Sequence, residues 1–260
     1  MSEDSLSQPS SSKTVKNPNV FSSLWTILTV ALVMATLFTL WTPANLFSNQ
    51  FLDRMFQAAQ TDPTLTFPTP TSMPRIRIGI VAGHWGNDPG AVCADGLTEV
   101  EVNLEIATRV QNQLLAEGFE VDLLEEFDER LYEYQALALV SIHNDSCVYI
   151  NDLATGFKVA AAASSAFPEK ANRLNACLID RYAKTTGMKF HANSITPDMT
   201  HYHTFSEVHT NTTAAIIETG FLNLDRRILT EQPELVAQGI TYGILCYIRN
   251  EPVPAMDSPE

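Results

Sequence analysis

The sequence predicts an α/β domain, built on a mostly parallel sheet covered on both faces and preceded by one N-terminal transmembrane helix. Three observations predict it. From Arg75 onward, short β-branched runs alternate with amphipathic stretches of helical spacing, the pattern of strands joined by helices. Asn17 through Leu52 carry no charge at all. Between these regions lies TDPTLTFPTPTSMP, residues 61–74, whose four prolines exclude a helix or a central strand and leave an extended spacer.

The membrane segment comes first. Its dense apolar part runs from Val20 to Trp41 without Gly or Pro. At ~1.5 Å per residue such a helix covers roughly 33 Å, the thickness of bilayer hydrocarbon. Trp25 and Trp41 lie near its ends, where amphipathic rings prefer the interface. A cleaved signal peptide has a shorter apolar core and ends at a small-x-small site; the exit here is Leu-Trp-Thr-Pro. Lys13 and Lys16 approach the run closely on its N-terminal side, which favours the N-terminus inside and the rest of the chain outside, at the cell membrane. The expected organisation is a disordered cytoplasmic tail over 1–19, a transmembrane helix over 20–41, a juxtamembrane segment and Thr/Pro-rich linker over 42–74, a folded domain over 75–251 and a short disordered tail over 252–260.

Within the folded domain, Arg75–Ala82 reads as a strand ending at Gly83. Glu99–Glu117 is a helix with Val102, Ile106, Val110 and Leu114 on one face, stopped at Gly118. Phe119–Leu124 is a strand, Glu129–Ala138 a short helix and Leu139–His143 a strand. Gly156–Ala161 reads as an edge strand, Glu169–Thr186 as a helix ending at Gly187, and Ala214–Glu218 as a buried strand. Pro233–Ile248 is a terminal helix with Pro in its first turn. The formal net charge of -14 repels phosphates and argues against a nucleic-acid partner.

In open α/β sheets, sites gather at the carboxyl ends of strands. His84 follows the first strand in the loop GHWGNDPGA, His143 closes VSIH and Glu218 closes AIIE. A lone His carries little information, and Glu218 alone could pair with Arg226 or Arg227. Together, two imidazoles and a carboxylate make the ligand set of many catalytic zinc sites, which keep one position for water. Such a site also needs a carboxylate outside the metal shell to move a proton. Glu99, Glu101 and Glu218 are all available, and spacing does not choose among them.

The segments GHWGNDPGA, EVEVNLEIA, SIHND and IIETGFL, in this order, resemble the zinc-dependent N-acetylmuramoyl-L-alanine amidases of the Amidase_3 family, from about Arg75 to Ile248. The resemblance implies a three-layer αβα sandwich. It implies zinc ligation by His84, Glu99 and His143, with Glu218 as catalytic acid/base. Glu99 rather than Glu101 matches the ligand, because the family's Glu lies four residues before Asn103-Leu104. The implied reaction is hydrolysis of the amide joining N-acetylmuramic acid to L-alanine in peptidoglycan, by zinc-activated water with Glu218 as general base. Two readings stand beside it: a catalytically silent membrane-anchored scaffold that binds peptidoglycan, and a zinc peptidase on a related fold.

The chain also departs from the family. Trp85 replaces a second Gly, Asn144-Asp145 replaces Ala-Asn, the usual Arg and Ala-Asn before SIH are missing, and Gly156–Phe205 matches poorly. The family's regulatory helix has no room between His143 and Glu218. Asp145 reads as solvated in preference to orienting a ligand. His201, His203 and His209 read as a polar loop around THYHTF, with the substrate cleft or another metal as the rival assignment. Cys93, Cys147, Cys177 and Cys246 contain no C-x-x-C pair. In an exported domain they permit two disulfides, and Cys93 and Cys147 follow His84 and His143 closely enough to meet near the site; buried free thiols are the other reading.

Overall fold

The computed structural model describes residues 20–41, 75–163 and 165–254. The chain divides into two compact units, Met1–Thr71 and Ser72–Glu260. The expected segments 1–19 and 42–74, and residues 255–260 of the expected tail, lie outside the described residues.

The first unit contains α1 (Val20–Trp41), 22 residues without a charged side chain. Thr29 and Thr36 fold their hydroxyls back onto Trp25 O and Leu32 O, at 3.0 and 3.1 Å, so these polar groups are satisfied within the helix. The side chains described on it, 25–37, are exposed. Among the described residues no helix is long and apolar enough to cross a membrane, so the transmembrane helix expected over 20–41 is not supported.

The second unit holds a five-stranded sheet. Its strands are β1 (Arg77–Ala82), β2 (Glu120–Leu124), β3 (Ala138–Asp145), β4 (Lys158–Ala161) and β5 (Thr213–Phe221). Their spatial order is β2-β1-β3-β5-β4. The β1–β2, β1–β3 and β3–β5 pairs are parallel, and β4 runs antiparallel to β5. The sheet is therefore mostly parallel, with one reversed edge. Two register pairs place the site: His143 lies opposite Glu218, and Glu218 lies opposite Lys158. Three functional side chains thus share one level across three adjacent strands.

One sheet face is deeply covered. The long helices α2 (Glu99–Ala116), α3 (Pro168–Thr186) and α7 (Pro233–Ile248) bury it in a core that includes Ile80, Ile142 and Ile217. The stripe predicted for α2 holds: Val102, Ile106, Val110 and Leu114 are all buried. The other face is covered by short pieces. These are a 3-10 turn at Glu129–Leu131, α4 (Pro197–Thr200) and α5 (Thr204–Glu207), which pack Leu131, Tyr134, Met199, Tyr202 and Phe205 against Val81, Leu139 and Ile216.

Four expectations need correction. The helix expected over Glu129–Ala138 is only the turn at Glu129–Leu131, because Glu133 takes φ 54° and turns the chain out of helical geometry. A short helix not expected from the sequence, α6 (Arg226–Glu231), follows β5. α4 and α5, likewise not expected, occupy the segment around THYHTF. Strands β3 and β5 continue past His143 and Glu218 to Asp145 and Phe221, so both residues sit inside their strands rather than closing them.

The cysteines pair as Cys93–Cys147 and Cys177–Cys246, with Cα atoms 5.2 and 5.7 Å apart. The second pair joins α3 to α7 where the two helices lie close. A Cβ at Gly243 would sit 2.8 Å from the Leu178 Cα. Gly243→Ala therefore forces two backbones apart, at ~1–3 kcal/mol, against a helix-propensity gain of about 1 kcal/mol. The expected outcome is a net loss on the order of 1 kcal/mol, read as a lower urea midpoint at unchanged slope.

Candidate metal centre

The loop after β1 is shaped by what cannot fit there. A Cβ on Gly83 would lie 2.3 Å from the His143 ring, and one on Gly90 (φ 62°) would lie 2.7 Å from Glu99 Oε2. Only glycine allows these approaches. His84 itself has φ 66°, and its backbone N–H donates to the Glu126 carboxylate. Its Nδ1 lies 2.7 Å from Asp88 Oδ1, and its Nε2 lies 3.3 Å from Glu99 Oε1. A carboxylate on one ring nitrogen leaves the other free to act as a ligand.

The two glutamates at the start of α2 separate by capping. Thr98 is the N-cap, with Glu101 N donating to its hydroxyl at 3.4 Å and the Glu101 carboxylate accepting from Thr98 N at 3.0 Å. This capping box occupies Glu101 and holds its carboxyl below the ordinary range through the Thr98 backbone N–H. Glu99 turns inward and is 5% exposed.

The third member comes from β3. His143 Nδ1 lies 3.3 Å from Glu99 Oε1. His84, Glu99 and His143 thus offer ligand atoms all within 4.8 Å of one another, and a metal fits this donor set of two imidazole nitrogens and a carboxylate oxygen. A buried amide network steadies it. Asn103 Nδ2 donates to Gly83 O at 3.0 Å and to Glu99 Oε1 at 3.2 Å, and Asn144 N donates to Glu99 Oε1 at 3.2 Å. Asn144 Nδ2 in turn donates to Asn103 Oδ1 at 2.7 Å, while the Thr219 hydroxyl donates to Asn144 Oδ1.

Glu218 faces the same space. It lines a cleft of about 450 Å³ together with His143, Lys158, Asp145, Asp198 and Tyr202. Its Oε2 is shut off from solvent without a hydrogen-bond partner. Burial pushes its carboxyl up to about 7, against the opposing pull of His143 and Lys158. Asp145 is ion-paired to the buried Lys158, which corrects the reading of it as solvated.

Sequence reasoning missed Glu126. It is buried, accepts from Tyr202 Oη at 2.7 Å and from His203 Nε2 at 2.9 Å, and sits 3.6 Å from His143 Nε2. Burial raises its carboxyl, but the hydrogen bond from His203 and the nearby His143 outweigh this and hold it down at about 2. Of the three clustered histidines only His203 reaches the site. His201 is bound to the Pro197 carbonyl, and His209 accepts from Asn211 N. The segment folds as two short helices, so the His-x-His spacing does not place its rings on one strand face.

The charges at the centre set a pH dependence. Burial would raise Glu99, but hydrogen bonds from His143 and His84 overcome it and hold Glu99 well below the carboxylate range. The hydrogen bond to Glu99 raises His84 to about 9. A ligating imidazole must lose that proton. Metal uptake at pH 7 is therefore expected to release about one proton from His84, with affinity rising roughly tenfold per pH unit up to about pH 9. Calorimetry in buffers of different ionisation enthalpy checks this; uptake without proton release would contradict it.

Comparison with known proteins follows from this geometry. The profile of the N-acetylmuramoyl-L-alanine amidase family, Amidase_3, matches residues 78–246. A search of curated proteins returns no match. Among solved structures, the N-acetylmuramoyl-L-alanine amidase AmiC2 of Nostoc punctiforme is similar at 24% identity and TM-score 0.53, covering 67% of this chain and 97% of that one. The CwlD amidase of Clostridioides difficile, solved in complex with the GerS lipoprotein, is similar at 21% identity and TM-score 0.54, covering 68% and 100%. The catalytic domain of CwlV, an N-acetylmuramoyl-L-alanine amidase from Bacillus (Paenibacillus) polymyxa var. colistinus, is similar at 24% identity and TM-score 0.52, covering 67% and 98%. These likenesses share the α/β fold. With the family profile spanning most of the chain, this protein belongs to the N-acetylmuramoyl-L-alanine amidase family.

Proposed function

We propose that the chain is a hydrolase, acting outside the cytoplasm, that cleaves the amide between N-acetylmuramic acid and L-alanine in peptidoglycan. His84, Glu99 and His143 would hold zinc, and Glu218 would handle the proton. The observation that carries this reading is the register pair His143–Glu218, which sets a carboxyl with a buried, unbonded Oε2 beside one member of a convergent ligand set, both lining one cleft. When bound, zinc supplies a Lewis acid that polarises a carbonyl and makes water a stronger acid. Glu218 takes the proton from the attacking water and delivers it to the alanine nitrogen as the amide breaks. A carboxyl near neutrality suits both steps, because it binds and releases a proton with little cost at working pH. Lys158 keeps the carboxylate form of Glu218 accessible, and its ion pair with Asp145 holds that cation in place.

The placement is part of the proposal. A chain outside the cytoplasm suits two disulfides.

Glu218→Gln is expected to lower amide cleavage by ~10²–10⁴-fold while the protein keeps its metal. Mass spectrometry of digested sacculi checks the bond cut. Wild-type enzyme should leave a free muramyl carboxyl and a free L-alanine amine. Cuts within the stem would establish a peptidase, and no cut at all a scaffold.

The same residue sets a stability trade. Its folded pKa is raised, so its contribution to stability is full below the unfolded carboxyl pKa and is lost as pH rises through about 7. In the metal-free chain, Glu218→Gln should raise the melting temperature at pH 8 and leave it little changed at pH 4. An equal shift at both pH values would show that the carboxylate charge is not the cause.

A further inference from the structure

We propose that Tyr202 and Glu126 form a brace that fixes the tautomer of His143 and aims its Nδ1 at the metal. This rests on the reading of His84, Glu99 and His143 as a metal site. The argument is one of donors and acceptors. Glu126 accepts three hydrogen bonds, from His84 N, Tyr202 Oη and His203 Nε2, so it is an ionised acceptor with no proton to give. Tyr202 must therefore spend its only proton on Glu126, at 2.7 Å. Its oxygen then meets His143 Nε2, at 3.3 Å, as an acceptor. Nε2 then carries a ring proton, and Nδ1, the atom that faces Glu99, is the one left to give up its proton to a metal.

With a metal bound, the two imidazole ligands would thus sit in opposite tautomers. Asp88 takes the Nδ1 proton of His84 and frees Nε2; the Tyr202–Glu126 pair takes the Nε2 proton of His143 and frees Nδ1. Glu126 serves both, because it also anchors the His84 backbone. Behind it, His203 is gripped by Glu207 at 2.9 Å and stacked on Phe127, with ring centroids 4.3 Å apart, so the far end of the brace is fixed. Tyr202 and Glu126 are positioning residues: they act on the metal through His143.

The test uses the purified full-length chain, titrated with Zn²⁺ against a chromophoric chelator. Tyr202→Phe removes one oxygen and is expected to weaken zinc binding by about 10–100-fold, with the melting temperature of the metal-free protein unchanged. Glu126→Gln should weaken it at least as much. Tyr149→Phe, which removes an exposed hydroxyl bonded to Asp152, should have no effect. In the zinc-loaded wild-type chain, long-range nitrogen–proton NMR of the imidazoles should place the His143 proton on Nε2. Zinc affinity of Tyr202→Phe within twofold of wild type, or a zinc-loaded wild-type His143 with its proton on Nδ1, overturns the brace while leaving the metal site standing. A wild-type chain that takes up no zinc overturns both. If Glu126→Gln does not fold, Tyr202→Phe decides alone.

Discussion

The structure turns on the burial of one carboxylate. Glu99 is taken out of water at the first turn of α2, a step that costs several kcal/mol unless the charge is fully partnered. Its partners come from three separate segments: Ala91 N and His84 from the loop after β1, Asn103 from the next turn of its own helix, and Asn144 N and His143 from β3. The charge is satisfied only when loop, helix and strand are in register. The N-terminus of α2 adds a favourable dipole on the same carboxylate. The absence of a side chain at Gly90 follows from this requirement, and that at Gly83 from the close approach of the His143 ring. The ligand set is built into the packing rather than attached to it.

How much of this was legible in the sequence depends on the length of the segments involved. α2 carries enough residues to show a period, and its buried face was read correctly, while the strands showed as short apolar runs. Polar residues closing apolar runs marked His143 and Glu218. Glu99 and Glu101 looked equivalent by spacing, yet Thr98-x-x-Glu101 is a capping-box pattern; reading it would have assigned Glu101 to the helix start without appeal to a family. The second sheet face was not legible. Its cover comes in pieces of three or four residues, too short for any period, and Glu133 breaks the helical pattern with a conformation its residue type does not announce.

Glu126 was missed for a related reason. It sits in LLEEFDER, a charged run that reads as solvated. Its partners Tyr202 and His203 lie 76 and 77 residues away, and nothing local in either segment points to the other. Asp145 illustrates the same limit. Its partner Lys158 stands on β4, and only the antiparallel pairing of β4 with β5 brings that strand beside Glu218. Side chains whose role is set by distant strand order have no local signature.

The asymmetry of the two faces separates stability from function. On the thick side, α2, α3 and α7 bury most of the apolar core, and Cys177–Cys246 locks the two helices that approach most closely. On the thin side, short helices and turns supply the cleft wall, Tyr202 and the support behind Glu126. Such pieces bury little and can vary without unfolding the domain. The other disulfide lies where the two meet. Cys93–Cys147 joins the loop that bears His84 to the chain just after His143, closing a span of 54 residues, worth on the order of 4 kcal/mol in the chain-entropy account. It stabilises the folded domain and also limits how far the two imidazoles can drift apart. In a compartment that keeps thiols oxidised, that link holds the ligand loops together even when the centre is empty, so the cost of ordering them is met by folding rather than by metal binding.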